Sequence, residues 1–281
     1  MSWSDLPIVA AAILLLTHDA AADSDGYILG FGGEADTAGG RAVAVFGDVG
    51  VTKDTWLSAF LARTRTGNGP TSLDTDLADV AIDHWFRPLG IRLGVAYWGD
   101  DEVLDSGDLR ASIYFRNDAL SVSADYERRN FDLTFGTNVL PRPRVAEFHG
   151  DGYGAKARFA VGDATSFSFS GMGYHYSRNI NLQPNIDVLR VFSTSRLGLM
   201  NSLLDYRFSA GIDRSLGLRI VDLRLERWQT AIDQGRVDSI GAGLLAPVNQ
   251  FSDMEFRFAY DYSETFGKTI TLSVFYYFFG T

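Results

Sequence analysis

The sequence predicts an all-β fold: a transmembrane antiparallel up-and-down β-barrel of about 14 strands. Three observations lead to this prediction. Apolar and polar residues alternate in successive runs from residue 40 onward, many runs reach about ten residues, and the chain closes on the aromatic segment 269–281. Alternation indicates strands with two chemically different faces. A soluble strand averages about 5 or 6 residues, whereas a tilted membrane strand needs about 9 to 11.

The final segment, TITLSVFYYFFGT, shows why a membrane is predicted. Successive side chains of a strand point to opposite faces, so one face consists of Ile270, Leu272, Val274, Tyr276 and Phe278. In water, such a strand at a chain end would promote aggregation. In lipid, an apolar outer face is what the surroundings require.

Residues 1–22 have the pattern of a secretory signal peptide. An apolar run over 8–16 precedes a polar stretch and the small residues Ala20 and Ala22, as in an h-region followed by a cleavage site. The run is too short to cross a bilayer as a helix, which needs about 20 residues. We therefore predict export, cleavage near Ala22, and a barrel domain formed by residues 23–281.

Composition excludes several classes of protein. Cysteine is absent, which excludes a disulfide framework, thiol catalysis and Cys-ligated zinc. The net charge of −10 argues against a nucleic-acid partner. After the signal segment, no run of about 18 apolar residues predicts a transmembrane helix. We expect no cofactor and no metal site.

The segment 107–117 illustrates the alternation. Its apolar face consists of Leu109, Ala111, Ile113 and Phe115, and its polar face of Arg110, Ser112, Tyr114 and Arg116. Similar segments follow to the end of the chain. The predicted strands are 40–50, 54–66, 75–87, 90–99, 107–117, 119–128, 129–138, 153–162, 165–177, 202–213, 216–231, 236–247, 253–263 and 268–279.

The strand count leaves two points open. Segment 27–35 also has strand character and would make the total odd, whereas bacterial single-chain barrels have even numbers; totals of 12 or 16 therefore remain possible. With the C-terminus in the periplasm, the two longest gaps, 139–152 and 178–201, fall on the extracellular side. Longer loops are expected on that side.

Together, the export signal, the glycine-rich alternating strands and the aromatic last strand resemble Gram-negative outer-membrane β-barrel proteins. The resemblance implies a bacterial outer-membrane location, contact with the lipid bilayer and lipopolysaccharide, and insertion by the barrel-assembly machinery. In that class the last residues carry the assembly signal, here Tyr276, Phe278 and Phe279. The usual terminal Phe is followed here by Gly280 and Thr281. The sequence does not indicate an oligomeric state.

If the apolar face meets lipid, the charged face lines the lumen. The predicted lumen-lining residues are Arg92, Arg110, Arg116, Asp125, Glu127, Asp132, Lys156, Arg158, Asp205, Arg207, Arg224, Glu226, Glu255, Arg257 and Asp261. Both signs are interleaved, so the charges either pair across neighbouring strands and close the lumen or line a pore for small polar solutes. The sequence thus predicts a porin-like passive pore or a structural surface barrel.

Two further alternatives stay open. His175 and Ser177 would share one strand face, which resembles the His-x-Ser pair of outer-membrane phospholipase A and lipid A deacylases. That resemblance implies a lipid ester hydrolase, but Arg178 replaces the usual Asn and no third residue is evident, so no catalytic residue is predicted. The other alternative is a soluble secreted β-protein. His149, with Glu147 and Asp151, is expected in a solvated extracellular loop.

Overall fold

The computed structural model describes residues 26–66, 73–100, 104–135, 144–178, 203–232, 234–264 and 267–280. The predicted signal peptide lies outside them. The described residues form a closed barrel of antiparallel strands. These are β1 Tyr27–Asp36, β2 Arg41–Thr52, β3 Thr55–Thr66, β4 Leu73–Trp85, β5 Leu89–Gly99, β6 Leu104–Arg116, β7 Leu120–Phe135, β8 Arg144–Val161, β9 Thr165–Tyr176, β10 Leu204–Leu216, β11 Arg219–Thr230, β12 Arg236–Asn249, β13 Ser252–Ser263 and β14 Gly267–Gly280.

Pairing between the first and last strands closes the barrel. β1 and β14 run antiparallel from Tyr27 opposite Gly280 to Asp36 opposite Thr271. On the outer side, the ring of Phe31 lies 5.9 Å from that of Tyr276 and 6.2 Å from that of Phe278. Closure leaves no unpaired strand edge, so segment 27–35 is an integral part of the fold.

The predicted total of 14 strands is confirmed, although two details of the count were wrong and compensated each other. Segment 27–35 is strand β1, and the predicted strands 119–128 and 129–138 are one continuous strand, β7. In addition, β8 begins at Arg144, so 144–152 belong to a strand and not to a loop.

The outer surface of the barrel is apolar. On β14, Leu272 is 60% exposed while the neighbouring Thr271 is 1% exposed. Exposed large apolar residues recur on the other strands, among them Phe31, Val95, Ile113, Phe208, Leu225 and Phe258. Because strands can cross a bilayer only as a closed barrel with an apolar outer band, the described residues have the architecture of the predicted transmembrane barrel. Nowhere in the described ranges does a helix have the length and apolarity to span a bilayer.

The two ends of the barrel differ in their connections. Tyr27 and Gly280 pair with each other, so both termini of the barrel lie at one end, which we call the turn end. There the strands are joined by short turns, for example 86–88 and 217–218. At the opposite end, the loop end, connections include 136–143 and 177–203. Short turns are periplasmic in bacterial outer-membrane barrels, so the loop end is the end that the sequence analysis predicts to be extracellular.

Toward the loop end, the two faces of the wall exchange character. In β7, Val122 faces outward in the apolar band, but farther along Asn130 and Asp132 are the exposed residues, while Phe131 and Leu133 are buried inside. The register of β7 with β6 is continuous throughout. The strand therefore extends beyond the lipid band into water, where its outer face is polar.

Candidate functional site in the barrel interior

An apolar layer lies inside the loop end. Its buried members are Ala44, Ala62, Leu77, Ala96, Trp98, Phe131, Leu133, Phe148, Leu203, Ala231 and Ile232, with Phe60 and Tyr176 packed against them. They come from β2–β5, from β7 and β8, and from the segments beside β10 and β11, which are different sides of the wall. Trp98 and Phe131 are 2% and 1% exposed. The layer therefore reaches across the interior, and its side chains are shielded from solvent.

A buried arginine lies next to the apolar layer, toward the turn end. Arg129 of β7 is 1% exposed, and its Nε donates a hydrogen bond to Glu127 at 2.7 Å. Its guanidinium also donates to the Tyr174 hydroxyl at 3.0 Å and lies 4.8 Å from the Tyr174 ring centroid. Tyr174 in turn donates to the second oxygen of Glu127 at 3.0 Å. These contacts compensate the cost of burying the charge.

Arg110 of β6 extends this network across the wall. It donates to Glu127 at 3.1 Å and to Asp108 at 3.3 Å, and it forms an ion pair with Asp79 of β4. Asp108 also lies 3.9 Å from Arg129. We call Arg129, Glu127, Asp108, Arg110, Asp79 and Tyr174 the charge network. It joins β4, β6, β7 and β9, so these strands have a fixed arrangement below the apolar layer.

A central cavity of ≈ 430 Å³ lies beside the charge network. Side chains from β1–β5 and from β10, β11, β13 and β14 line it, which places it between opposite walls of the barrel. Its charged lining comprises the carboxylates Glu34, Asp48, Asp79, Glu226 and Glu255 and the arginines Arg92, Arg207, Arg224 and Arg257. Charges of both signs thus face one space.

A second cavity of ≈ 450 Å³ lies nearer the turn end, and we call it the basic cavity. The cations that line it are Arg92, Arg116, Lys156, Arg158 and Arg224, whereas Asp83 is the carboxylate among its described lining residues. Arg92 and Arg224 line both cavities. The two spaces are therefore adjacent and separated in part by these two arginines.

The predicted lumen residues have several positions. The cavities are lined by Arg92, Arg116, Lys156, Arg158, Arg207, Arg224, Glu226, Glu255 and Arg257, and the charge network includes Arg110 and Glu127. Asp125 accepts hydrogen bonds from Ser112 at 2.6 Å and Ser123 at 3.1 Å. Asp261 is buried on β13. Asp205 lies at the register shift near the start of β10.

Asp132 is the predicted lumen residue that the structure places elsewhere. It lies on the outward face of β7, as Asn130 does, because inward and outward positions alternate without interruption to the end of the strand. The prediction took the apolar residues Phe131 and Leu133 as lipid-facing, but both are buried in the apolar layer. At the start of β10, the register shift turns Leu204 inward, where it packs with Trp228.

Several interior residues were missed by the sequence analysis. Arg129 is two positions after Glu127, so one uninterrupted strand would have put both on the same face. Glu34 was missed because its strand was left out of the count. Asp79 and Asp108 lie in segments whose alternation is clear, and strand parity alone would have identified them.

The predicted His-x-Ser pair is exposed at the loop end. The Ser177 hydroxyl accepts a hydrogen bond from the His149 backbone N–H at 3.0 Å, and among the described contacts none joins it to His175. His175 stands opposite Asp151 in the β8–β9 register. The Asp151 carboxylate accepts a hydrogen bond from the Tyr126 hydroxyl at 2.7 Å. The hydroxyl and imidazole are thus not joined as a nucleophile and its base.

The three residues expected in a solvated extracellular loop are also in a strand. Glu147, His149 and Asp151 all belong to β8, so they are not in an extracellular loop as expected. His149 Nε2 lies 4.0 Å from an Asp151 oxygen.

The residues of the predicted assembly signal lie at the other end of the barrel. There the Tyr276 hydroxyl donates to the Ser252 hydroxyl at 2.8 Å. Phe278 and Phe279 are 42% and 36% exposed.

No protein-family model and no curated protein matches the sequence. The barrel is similar to solved structures of other barrels. The KdgM porin matches with a TM-score of 0.44 and 9% identity, over 89% of this chain and 98% of that chain. OprD of Pseudomonas aeruginosa gives 0.46 and 8%, over 92% and 94%. A form of OmpT, an outer membrane protein of Vibrio cholerae, that lacks loop L8 gives 0.47 and 6%, over 90% and 98%. Similarity at this level concerns the barrel architecture alone.

Proposed function

We propose that this chain is an outer-membrane barrel through which small polar solutes pass passively, along a lumen lined by charges of both signs. The central cavity is the observation that supports the proposal. Its lining combines five carboxylates with four arginines from facing walls, and such groups can replace part of the hydration of a polar solute. A barrel interior filled with side chains only for stability would be close-packed and would leave no such cavity.

The apolar layer supports a second candidate, a structural barrel with a closed lumen. A dry constriction of apolar side chains blocks polar solutes because water does not wet it. We propose that the layer closes the passage in the conformation described and that its displacement opens it. A barrel in which the layer never moves would have a structural or surface role.

Vesicle swelling distinguishes these candidates. The chain is refolded into lipid vesicles, folding is verified by a heat-modifiable gel shift, and swelling is measured in a graded series of sugars. The test variant, Trp98→Ala/Phe131→Ala, removes two of the three buried aromatic rings of the layer, the third being Phe148. A matched control, Phe208→Ala, removes an outward ring that is 55% exposed.

Each outcome has a definite meaning. Swelling of the wild type supports an open pore, and swelling of the layer variant alone supports a pore closed by the layer. A folded band with no swelling in either protein overturns the pore and supports the structural barrel. Swelling of the Phe208→Ala control beyond the wild type would attribute the effect to general loosening of the wall.

We also propose the membrane partners that the barrel class implies. Outward ion pairs lie toward the loop end, where lipopolysaccharide headgroups would surround the barrel: Arg63–Asp76, Arg128–Asp151 and Arg227–Asp238. Tyr276, Phe278 and Phe279 would serve as the signal for the barrel-assembly machinery, and residues 1–22 as the export signal. Deletion of 280–281 leaves that aromatic segment intact and should preserve assembly, whereas Phe278→Ala/Phe279→Ala should reduce the amount of folded barrel in the membrane.

The lipid hydrolase remains a proposal with its own assay. It requires the Ser177 hydroxyl to leave its hydrogen bond with the His149 N–H and to meet His175. Release of fatty acid from phospholipid or lipid A by the folded barrel, lost in Ser177→Ala, would support it. Equal release in Ser177→Ala and wild type, or none in the wild type, would exclude the activity.

A further inference from the structure

We propose that the basic cavity is a binding site for small hydroxylated oxyanions, meaning a carboxylate or phosphate carried on a polyol or sugar. The proposal rests on the pore proposed above, because it names the class of solute that the lumen accepts from the turn end. The cavity volume of ≈ 450 Å³ falls within the range of about 300 to 1,000 Å³ that is usual for small-molecule sites.

The charge balance of the cavity remains positive after its ion pairs are counted. Lys156 lies 3.5 Å from Asp125, and Arg158 lies 3.3 Å from Asp213. Adding these two carboxylates to Asp83 gives three negative charges against the five cations of the lining. A concave, partly enclosed surface of one predominant sign concentrates solutes of the opposite sign.

Arg92 and Arg224 lie where the basic cavity adjoins the central cavity. In the part of the chain that the structure describes, neither forms an ion pair with a carboxylate. Asp83 stands opposite Arg92 in the β4–β5 register, but its carboxylate accepts a hydrogen bond from the Tyr114 hydroxyl at 2.5 Å.

Glycine surrounds Arg224 on both sides. Its cross-strand neighbours are Gly211 of β10 and Gly241 of β12. A Cβ at Gly211 would lie 2.7 Å from the Ser168 hydroxyl and 3.8 Å from Arg224 Nε, so the missing side chain lets the Ser168 hydroxyl approach the position beside the guanidinium. A guanidinium presents two parallel N–H groups that match the two oxygens of a carboxylate or phosphate.

Serine side chains supply the second chemical feature of the cavity. Six of them line it, namely Ser112, Ser121, Ser123, Ser168, Ser170 and Ser209. A serine hydroxyl both donates and accepts hydrogen bonds, which suits the hydroxyl groups of a polyol. Arg116 is held with its guanidinium 4.5 Å from the Trp85 ring centroid, so it is positioned before a ligand arrives. The combination predicts preference for gluconate over acetate and little affinity for glucose.

Isothermal titration calorimetry on the full chain folded in detergent micelles tests the proposal. The probes are gluconate, acetate, inorganic phosphate and glucose at low salt. We expect saturable binding of gluconate and phosphate, weaker binding of acetate, and weakening of gluconate binding as salt rises. Arg92→Gln/Arg224→Gln should weaken gluconate binding by about tenfold or more, because each charge-assisted hydrogen bond is worth more than one factor of ten.

The control is Arg227→Gln, which removes a positive charge from the same strand as Arg224 but on the outward face, where Arg227 pairs with Asp238 at 2.5 Å. It should bind gluconate as the wild type does. Equal binding of glucose and gluconate by the wild type overturns the proposal without any variant, as does the absence of anion binding. Unchanged affinity in the folded double variant also overturns it.

This measurement is independent of conduction. If the barrel binds gluconate but its vesicles never swell, the proposed binding site stands and the proposed pore is excluded. If the vesicles swell in sugars but the barrel binds no anion, the proposed pore stands and the proposed binding site is excluded.

Discussion

Phe131 of β7 stacks on Phe148 of β8, with ring centroids 5.0 Å apart, and both rings are buried inside the loop end of the barrel. Tyr176 of β9 completes the cluster at 6.2 Å from Phe131. Its hydroxyl donates to the Leu204 carbonyl at 2.7 Å. Three consecutive strands and the start of β10 are thereby held together by aromatic side chains that face away from lipid.

The first prediction follows from this packing. Phe131→Ala should lower the free energy of unfolding by about 3 to 5 kcal/mol, the usual cost of removing a buried aromatic ring. Urea unfolding of the barrel in vesicles, followed by the gel shift, measures the change. Phe208→Ala should cost less, because lipid can fill the space that its outward ring leaves. Equal losses in the two variants would contradict a packed layer.

The second prediction concerns the buried charge. Arg129→Leu removes one of the two arginines that contact Glu127 and Asp108, and removal of one partner from a buried ion pair costs about 3 to 5 kcal/mol. The control Arg227→Gln breaks an exposed pair, whose loss costs about 0.2 to 1 kcal/mol. Both are measured by the same urea titration. A small effect of Arg129→Leu would mean that water reaches the network.

Strand β7 explains how far the sequence predicted the fold. Alternation identified most strands, since lipid imposes one apolar face on each crossing, and the total was correct because the omission of β1 offset the division of β7. It failed between Arg128 and Phe131, because the apolar residues move from the outer to the inner face while the backbone continues without a break. The change reflects the boundary between lipid and water, which the alternation of a single strand does not reveal.

The interior was predictable only in part. Strand parity groups most charged residues on one face, as with Arg110 and Glu255, which form ion pairs in the structure. It could not show which charges meet, because Arg110 and Asp79 come from β6 and β4, which are not neighbours. Nor could it predict the apolar layer, whose members Leu203 and Ile232 lie outside the strands. Such contacts depend on the closure of the barrel.

The third prediction tests the lipid boundary. Val95→Arg introduces a charge at a position that is 58% exposed and flanked by Val80 and Leu109, so it should cost about 2 to 4 kcal/mol. Asn130→Arg, on the outward face beyond the band, should cost about 0 to 1 kcal/mol. Unfolding free energies in the same vesicles measure both. Similar costs would place the boundary nearer the loop end than Asn130.

The fourth prediction concerns the seam between β1 and β14. At Gly32 an added Cβ would lie 2.5 Å from the Val274 carbonyl oxygen, and it would also collide with the Phe275 ring. Backbone atoms cannot give way easily, so Gly32→Ala should strain the closing pair and cost about 1 to 3 kcal/mol. The midpoint temperature of the heat-modifiable shift should fall accordingly.

Gly107→Ala is the matched control for the seam, because an added Cβ there meets nothing within 4 Å. It also lies in a strand, β6, so both substitutions change backbone entropy in the same way. The Gly107 variant should therefore keep or raise the midpoint temperature, and the difference between the two variants isolates the collision. If Gly32→Ala matched Gly107→Ala, the first and last strands would tolerate a wider separation than their register indicates, and closure of the barrel would depend mainly on the outer rings of Phe31, Tyr276 and Phe278.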